Sequence, residues 1–318
     1  MDTPGTKRTV KRIGILPIDG FALMSYASTV EPFRAANLLS GQPLYDVVTY
    51  GVAPEPIRSS GAASVTVDAI LDDARSLDYF FVVAGGDPIA FSSRRVRGAL
   101  ARFARQRVTL GGVSGGPVIL ARAGVMAGYR MTVHWEHAAA LAEISPQLLL
   151  ERSLYVIDRD RITCAGGTAP LDLMHAIIGE HHGPGFSRRV SDWFMHTDIR
   201  PSAGPQRGGL VARVGSTNPG VLGAARLMEQ NVARPVSLGY LAASAGLSER
   251  QLNRLFRVHL GRSTMRYYRD IRLEKARNLL RNSPLSVTEI ALATGFANPA
   301  HFSERFRRRF GHPPTADR

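Results

Sequence analysis

The sequence predicts an α/β protein in which a parallel sheet, covered by helices on both faces, precedes an all-α domain. Short apolar runs alternate with helical stretches over residues 10–200, a pattern typical of a parallel sheet buried on both faces. A segment rich in proline, glycine and serine follows at 200–209, as expected of a linker. The last hundred residues carry one helix-turn-helix pattern twice, which indicates a repeated supersecondary unit. We therefore predict domains at 10–200 and 218–318, joined by a linker at 201–217.

The N-terminal domain is predicted to be flavodoxin-like. Its principal strands are expected at 12–18, 45–49, 79–84 and 106–110, and its helices at 29–39, 93–105, 117–123 and 169–180. Ligands of such sheets bind outside the carboxyl ends of the strands. Two of the predicted strand exits are rich in glycine, at Gly85-Gly86 and at 111–116, and a backbone without side chains can approach a ligand closely there.

The second of these exits, Gly112-Val-Ser-Gly-Gly116, matches the nucleophile elbow of hydrolases. In that turn the central residue, here Ser114, stands above the sheet edge, and N–H groups of the next helix point at it. His134 follows a strand-like stretch at 129–133, so Ser114, His134 and a carboxylate would form a hydrolase site. The chain order differs from the usual hydrolase arrangement, however, and no carboxylate is placed by pattern. The elbow alone leaves both a catalytic and a non-catalytic site open.

Composition excludes several classes of protein. The single cysteine, Cys164, rules out a disulfide framework and a cysteine-rich metal site. No apolar run reaches the length of a membrane span, and the run at 13–18 is too short for a signal-peptide core. We expect a cytoplasmic protein that has no cofactor and does not bind membranes. His137, His181 and His182 lack a carboxylate or cysteine at ligand spacing, and we expect solvated loop histidines there and no metal.

The repeat in the last hundred residues has the plan of two helix-turn-helix units. Leu238, Leu241, Ala242, Gly246 and Leu247 recur 49 positions later as Val287, Ile290, Ala291, Gly295 and Phe296, and Leu252, Phe256 and Gly261 recur 50 positions later as Phe302, Phe306 and Gly311. In each unit an apolar i, i+3, i+4 helix precedes a glycine turn and a second amphipathic helix. The predicted caps of the second helices are Ser248 and Asn298. The second helix of such a unit enters the major groove of DNA.

The charge of this region agrees with nucleic-acid binding. Residues 218–318 contain 17 Lys and Arg against 7 Asp and Glu, a net charge of +10, while the whole chain carries +14. All but one of the 17 cations are arginine, which suits bidentate contacts to phosphate and guanine. A solvated basic face or an RNA-binding protein would also explain this charge. The duplicated helix-turn-helix favours double-stranded DNA.

The second helices carry the candidate DNA-binding residues. They are Ser248, Arg250, Asn253 and Arg254 in the first unit and Asn298, His301 and Arg305 in the second. Spacings of three and four place Arg250, Asn253 and Arg254 on one face, where arginine suits guanine and asparagine suits adenine. Arg307, Arg308 and Arg309 are expected to bind phosphates, and the second unit, with fewer strong donors, to read sequence more loosely. The alternative is that all these arginines contact only the DNA backbone.

Residues 220–318 resemble the DNA-binding domain of the AraC family of transcription regulators. The resemblance is carried by the stretches 241–252, 290–296, 301–306 and 310–314. It implies that a connecting helix at 264–281 holds the two recognition helices about one DNA turn, roughly 34 Å, apart. It also implies RNA polymerase as a partner and a homodimer as the assembly.

The N-terminal domain resembles the class I glutamine-amidotransferase-like, PfpI-type domain, in the branch that is fused to AraC-type domains. The matching stretches are 30–37, 111–124, 132–137 and 164–172. Enzymes of that fold carry at the elbow a cysteine that a histidine and an acid activate. This chain has Ser114 there, and its Cys164 lies in a later strand. Because serine without a well-placed base is a much weaker nucleophile, the resemblance implies an enzyme fold kept as a sensor.

Relatives of this fused type recognise small cationic catabolites such as arginine, glycine betaine and carnitine. The resemblance implies a ligand site formed by Gly85, Gly86, Ser114, Gly115, His134, Trp135 and Glu136. Trp135 and Glu136 would hold a cation by cation–π attraction and charge. The alternatives are that Trp135 packs in the core and that Glu136 caps the following helix.

Together these observations predict a sequence-specific transcriptional regulator, an activator by family analogy, that responds to a small-molecule effector. One alternative is a serine-type hydrolase or amidase tethered to a DNA-binding domain. Another is an architectural DNA-binding protein without a ligand.

Overall fold

The computed structural model describes residues 10–74, 76–283 and 285–317. The chain folds into two compact units, the first ending at Gln206 and the second beginning at Arg207. Within the described ranges, no helix has both the length and the apolarity that crossing a membrane requires.

The first unit is built on a seven-stranded sheet with helices on both faces, as predicted. Its strands are β1 Lys11–Pro17, β2 Tyr45–Gly51, β3 Ile57–Arg58, β4 Ser64–Val65, β5 Ala69–Ile70, β6 Tyr79–Ala84, β7 Thr109–Ser114, β8 Arg130–Met131, β9 Leu149–Leu150, β10 Tyr155–Asp158 and β11 Arg161–Cys164. Its helices are α1 Leu23–Ser40, α2 Arg94–Arg105, α3 Gly116–Arg122, α4 Trp135–Ile144, α5 Ala169–His182 and α6 Pro184–Trp193, with a short 3-10 helix at Leu71–Asp73. The central sheet has the order β10-β11-β7-β6-β1-β2-β5, and only the β10–β11 pairing is antiparallel.

Strand β6 illustrates why both faces of the sheet are apolar. Phe81 and Val83 lie in a core that they share with α1, α5 and α6. The ring of Phe80 lies 4.8 Å from that of Phe103 on α2, on the opposite face. Successive side chains of a strand point to opposite faces, so an uninterrupted apolar run is buried on both sides. Strand β2 lies on one side of β1 and the later strand β6 lies on the other, so the order in which strands are added to the sheet reverses at β1. A ligand crevice is expected at such a point, at the carboxyl ends of β1 and β6.

Helix α1 begins at Leu23, six residues before the predicted start at position 29. Its first turns bury Ser25, Ser28 and Thr29. Small polar residues carry no apolar period, so the hydrophobic pattern could not mark this start. The strand-like stretch at 129–133 forms only the short β8.

The glycines Gly111 and Gly112 lie inside β7 and not at its exit, which corrects the role predicted for them. A Cβ atom on Gly111 would stand 2.0 Å from the ring of Phe81, and one on Gly112 would stand 2.6 Å from the backbone nitrogen of Pro117. Both glycines therefore permit close packing within the unit. The strand also starts later than predicted, because the segment before it ends α2, with Arg107 at a φ of 59°.

The second unit is entirely helical. Its helices are α7 Leu210–Val214, α8 Pro219–Gln230, α9 Leu238–Ser244, α10 Glu249–Leu260, α11 Thr264–Asn282, α12 Val287–Ala293 and α13 Pro299–Phe310, with a 3-10 helix at Pro314–Asp317. Val214 of α7 packs in one core with Val221 and Met228 of α8. The structure thus places residues 210–214 in the second unit, where the sequence predicted part of a linker. The predicted connecting helix is α11, which buries Tyr268.

Candidate functional site

Each half of the second unit contains the predicted pair of helices joined by a glycine turn. The pairs are α9 with α10 and α12 with α13, and the turn glycines Gly246 and Gly295 have φ values of 66° and 75°. This left-handed conformation favours glycine. Ser248 starts α10 with a capping box, and Asn298 Oδ1 accepts two backbone N–H groups at the start of α13. Both predicted caps are confirmed.

The two recognition helices, α10 and α13, bury and expose corresponding positions. Leu252 and Phe256 are fully buried in α10, and Phe302 and Phe306 are fully buried fifty positions later in α13. Three pairs of exposed positions correspond fifty residues apart: Arg250 and Ala300, Arg254 and Glu304, and Arg257 and Arg307. At these three positions the first helix carries three arginines and the second carries one.

Asn253, a predicted adenine-binding residue, is engaged within its own domain. Its Oδ1 accepts the N–H of Thr264, the first residue of α11, at 3.1 Å. A bidentate contact to adenine needs that same oxygen to accept a hydrogen bond from the base. Asn253 therefore also holds the start of the connecting helix, a task that the sequence pattern did not predict, and its contact to adenine stays a prediction.

Two of the candidates on α13 contact each other. Arg305 Nε donates to His301 Nε2 at 3.0 Å. Arg309 is also engaged, since its guanidinium lies 2.9 Å from a carboxylate oxygen of Glu274 on α11. Arg307 and Arg308 are exposed and form no ion pair with any carboxylate in the described ranges. They are therefore better placed than Arg309 to bind phosphates.

Arg272 of α11 joins the connecting helix to the turn of the second helix pair. Its Nε donates to the backbone oxygen of Thr294 at 2.8 Å and its Nη2 to that of Gly295 at 2.5 Å. Its guanidinium also lies 4.1 Å from the centre of the Phe296 ring. No sequence pattern singled out Arg272, because it is one of several arginines on α11 and nothing in its spacing distinguishes it from the others.

In the first unit, Ser114 keeps the backbone conformation of a nucleophile elbow. Its φ is 60°, a strained value for a residue other than glycine that costs on the order of 1–3 kcal/mol. Its side chain is almost fully buried, and no histidine or carboxylate of the described residues hydrogen-bonds to its Oγ. The hydrogen bond between His134 and Ser114 is a backbone one, in which the N–H of His134 donates to the oxygen of Ser114 at 3.3 Å. The elbow conformation is thus present without a hydrogen bond from its hydroxyl to any histidine or carboxylate of the described residues.

His134, Trp135 and Glu136 form the start of α4. His134 is the N-cap, and its Nδ1 accepts the N–H of Glu136 at 3.4 Å. Burial lowers the pKa of His134, although the nearby carboxylate of Glu136 opposes that shift. Trp135 is 42% exposed, and its ring lies 5.3 Å from that of His134. The interpretation of Trp135 as a core residue is therefore wrong, and Glu136 stands in the first turn, where a carboxylate is favourable.

The glycine-rich exits meet the elbow at one edge of the sheet. Gly115 N–H donates to the backbone oxygen of Ala84 at 3.0 Å, which brings the elbow beside Gly85 and Gly86. A Cβ on Gly85 would stand 2.7 Å from the oxygen of Gly20, at the exit of β1, and Gly86 has a φ of 57°. The predicted ligand-binding residues therefore lie along the carboxyl edge of neighbouring strands.

Two further parts of this edge carried no recognisable signal in the sequence. A Cβ on Gly166 would stand 2.6 Å from Cβ of Ser114, so the loop after β11 packs directly on the elbow. Gly167 N–H donates to Oγ of the buried Ser25 at 2.8 Å. These contacts join segments far apart in the chain, and a pattern read within short windows does not reveal them.

The histidines set aside as solvated loop residues lie in helices and are largely withdrawn from water. His181 lies in the last turn of α5 and bonds the hydroxyl groups of Tyr45 and Tyr79 through its two ring nitrogens, at 2.9 and 2.8 Å. His137 is buried in α4. Among the described residues, no group of three His, Cys, Asp or Glu side chains is arranged to hold a metal ion.

Two family models match the chain. The DJ-1/PfpI family matches residues 11–180, and a helix-turn-helix domain matches residues 241–318. The chain is 44% identical over 315 residues to the HTH-type transcriptional regulator GlxA of Rhizobium meliloti (strain 1021), with 99% of this chain and 97% of the relative covered. It is 40% identical over 316 residues to the HTH-type transcriptional regulator GbdR of Pseudomonas aeruginosa, with 99% and 86% covered.

A solved structure also resembles part of the chain. The crystal structure of an AraC family transcriptional regulator from Pseudomonas putida matches with a TM-score of 0.53 and 23% identity, over 58% of this chain and 99% of that one. At this identity the match supports the fold.

Proposed function

Because this chain belongs to the HTH-type transcriptional regulators that combine a DJ-1/PfpI domain with an AraC-type helix-turn-helix domain, we propose that it activates transcription when a small cationic metabolite binds at the elbow edge of its sheet. The elbow is the observation that carries the sensing part of this proposal. A conformation that costs free energy is kept around Ser114, although no histidine or carboxylate of the described residues hydrogen-bonds to its hydroxyl.

The proposed base-reading surface is the exposed face of α10. Arg250 and Arg254 lie one turn apart on that face, opposite the buried Leu252 and Phe256. An exposed guanidinium with five fixed donors can form a bidentate contact with O6 and N7 of guanine. Ser248 fixes the first turn of the helix and with it the direction in which the arginines project.

On α13 we assign a smaller share of base reading and a larger share of phosphate binding. Arg307 and Arg308 are exposed near its carboxyl end and suit phosphates. Asn298 uses Oδ1 for the cap and keeps its amide N–H groups for DNA. His301 and Arg305 form one hydrogen-bonded pair, so we propose that they act on DNA together.

The proposed effector site lies between Trp135, Glu136 and the glycine-rich backbone of Gly85, Gly86 and Gly115. An aromatic ring attracts a cation by its quadrupole, and Trp135, the first residue of α4, is partly exposed. Glu136 adds a negative charge within one turn of that ring. This combination favours an amino acid such as arginine or a quaternary amine such as glycine betaine or carnitine.

We propose that the site is not catalytic, which sets aside the serine-hydrolase alternative. A serine nucleophile needs a base within hydrogen-bond reach of its hydroxyl. His134, whose backbone bonds Ser114, has Nδ1 engaged by the N–H of Glu136, and burial lowers its pKa. The Cys164 thiol does not replace the missing nucleophile, since burial raises its pKa to about 12.

As an activator the protein would contact RNA polymerase beside its operator, in the cytoplasm where it meets its DNA. A homodimer would place two pairs of recognition helices on a repeated operator. RNA polymerase and a second copy of the chain are both proposed by analogy with this class of regulator, in addition to double-stranded DNA.

A thermal-shift comparison tests the sensing proposal. Glycine betaine, carnitine and arginine are each added to the full chain, with 3,3-dimethylbutanoate as the control, since it copies the shape of glycine betaine but lacks the cation. A ligand present at about 100 times its dissociation constant should stabilise the folded state by about 2.7 kcal/mol. We expect a rise in Tm with at least one cation and none with the control. An equal rise with the control, or no rise with any of the cations, would contradict the proposed ligand class.

A further inference from the structure

The segment that leaves the first unit is bonded at both ends to the loops that border the proposed effector site. This exit segment comprises residues 200–206 and immediately precedes Arg207, the first residue of the DNA-binding unit. Its ends are Arg200 and Gln206, and each end reaches a different loop. The sequence predicted a plain linker here.

The first anchor is an ion pair between the partly exposed Arg200 and the buried Asp172. The backbone N–H of Arg200 donates to Asp172 Oδ1 at 2.9 Å, and its Nε and Nη2 donate to Oδ2 at 2.9 and 2.6 Å. The carboxylate of Asp172 is fully buried, and His196 bonds the same Oδ1 at 2.8 Å. Hydrogen bonds to a charged, desolvated partner are among the stronger ones in proteins. This pair therefore fixes the position of Arg200.

Arg200 also reaches the loop that packs on the elbow. Its Nη2 donates to Oγ1 of Thr168 at 3.0 Å. Thr168 directly follows Gly166 and Gly167, which contact Ser114 and the buried Ser25. Arg200 is thus bonded to Thr168, the residue next to the glycines that pack on the proposed effector site.

The second anchor is the side-chain amide of Gln206. Its Nε2 donates toward three oxygens, Oγ1 of Thr132 at 3.0 Å, the backbone oxygen of Val133 at 3.1 Å and that of Ser153 at 2.7 Å. Val133 is followed directly by His134, whose N–H donates to the oxygen of Ser114. The second anchor therefore reaches the other side of the same site.

Between the anchors the exit segment lies against the unit. The backbone oxygen of Ser202 accepts the N–H of Leu154 at 2.8 Å. Gly204 is buried, and a Cβ there would stand 3.0 Å from Cδ1 of Leu154. Because the segment is bonded at both ends and in its middle, a displacement of one loop is expected to shift the segment and, through it, the other loop.

We propose that the exit segment couples the 166–168 loop to the 132–134 loop before α4, and that a ligand between these loops changes the position from which the DNA-binding unit is tethered. This inference rests on the proposed sensing function and specifies its regulation. The guanidinium of Arg200 bonds Asp172 and Thr168, and the amide of Gln206 bonds two further segments, so both loops contact the same element. Coupling requires that such an element have two arrangements whose balance both loops change, and we propose that the exit segment has them.

The mechanical part of this proposal can be tested on the full chain without a ligand, by amide hydrogen exchange read by mass spectrometry. Gln206→Ala removes one anchor without touching the ion pair between Arg200 and Asp172. We expect exchange to rise at least about threefold not only near Thr132 and Leu154 but also at the amides of Gly167 and Arg200. The matched control is Gln147→Ala, an exposed glutamine of the same unit.

The complementary variant is Thr168→Val, which removes the hydrogen bond from Arg200 to the 166–168 loop and leaves the ion pair between Arg200 and Asp172 intact. Exchange should then rise at the distant amides of Leu154 and His134. Strand β1 reports global opening and should keep its rate in both variants. Increases confined to the direct neighbours of each substitution would overturn the coupling, as would equal increases in β1.

A second measurement separates this inference from the function on which it rests. Operator affinity is measured with and without saturating glycine betaine, carnitine or arginine, for the wild type and for Gln206→Ala. If one compound shifts the Tm of both proteins, we expect it to change operator affinity only in the wild type. An unchanged response in Gln206→Ala would overturn the coupling and leave sensing intact. If no compound shifts the Tm of the wild type, the proposed ligand class fails, and the exchange experiment still decides the coupling.

Discussion

Arg254 of α10 and Glu304 of α13 occupy the same position in the two helix-turn-helix pairs and carry opposite charges. Each stands two residues after a fully buried residue, Leu252 or Phe302, and two before another, Phe256 or Phe306, and both are exposed. The two helices therefore offer the same face with different chemistry. A guanidinium suits guanine and phosphate, whereas a carboxylate on that face repels phosphates or accepts a hydrogen bond from cytosine.

The first prediction follows from Glu304. Glu304→Gln keeps the shape of the side chain and removes its charge, so binding to operator and to unrelated DNA should become tighter by a similar factor of a few. Because the carboxylate acts through charge, the gain should shrink as salt is added. Fluorescence anisotropy at two salt concentrations measures both effects. A loss of affinity at one operator base pair only would mean that Glu304 reads a cytosine there.

The second prediction concerns the elbow. Amide, ester and peptide substrates should show no turnover above that of Ser114→Ala, because no histidine or carboxylate of the described residues hydrogen-bonds to the hydroxyl. The conservative variant Ser114→Cys introduces the nucleophile that the enzymes of this fold carry. We expect it to remain inactive as well, since the pKa of His134 is lowered by burial and its Nδ1 is committed to the N–H of Glu136. Serine-dependent turnover of any of these substrates would contradict the sensor assignment.

Local signals explain what the sequence predicted correctly. Residue type predicted the caps at Ser248 and Asn298, and the 3.6-residue period predicted the buried phenylalanines of α13. Both signals are contained within one or two turns of helix. The strand at 79–84 was predicted with its observed bounds, because its apolar run is short and ends in glycines. These features depend on neighbours in the chain.

The features that the sequence did not reveal depend on partners far apart in the chain. Asn253 has a structural task that no pattern indicates, since its Oδ1 accepts the N–H of Thr264 eleven residues later. Gly111 looks like a ligand-facing glycine until the ring of Phe81 is seen to fill its side-chain space. The contacts of Arg200 and Gln206 span 28 to 74 residues, and no short pattern encodes them.

The third prediction is a pH dependence of stability in the first unit. Burial, with a smaller contribution from His134, lowers the pKa of His137 from 6.5 to about 4. Between these values the unfolded state binds a proton that the folded state does not, so stability falls as the pH falls through this window. At about 1.36 kcal/mol per pH unit, the loss between pH 6.5 and pH 4 is roughly 3 kcal/mol.

His137→Leu should remove this part of the loss and make the pH profile less steep, while His134, His175 and His181, whose pKa values burial also lowers, keep their contributions. The exposed His259→Leu in the other unit is the control. Both tryptophans of the chain, Trp135 and Trp193, lie in the first unit, so their fluorescence during urea unfolding follows that unit alone. Parallel profiles for wild type and His137→Leu would show that this histidine is not held neutral in the folded state.

The fourth prediction concerns the effector. Trp135→Ala should weaken binding of the cation that raises the Tm by about 1–2 kcal/mol, because the attraction to the ring face is lost. Trp193→Ala, which removes another partly exposed tryptophan of the same unit, should leave it unchanged. Titration calorimetry measures both. Equal affinities in wild type and a folded Trp135→Ala protein would remove the ring from the site.

The last prediction separates base reading from phosphate binding. If Arg254 grips a guanine, Arg254→Ala should lose about 1–3 kcal/mol at one operator position and relax specificity there. Arg307→Ala is the matched control, since an exposed arginine near the end of α13 should weaken all sequences alike and reduce the salt slope by about one. Arg250→Ala is measured beside them, on a set of operators that each carry one altered base pair. We expect a position-specific loss for Arg254, for Arg250 or for both, because these two arginines lie on the exposed face of α10 without an ion pair to any described carboxylate. A uniform loss for both would reduce α10 to a backbone contact and leave operator recognition to the other helix and to the shape of the DNA.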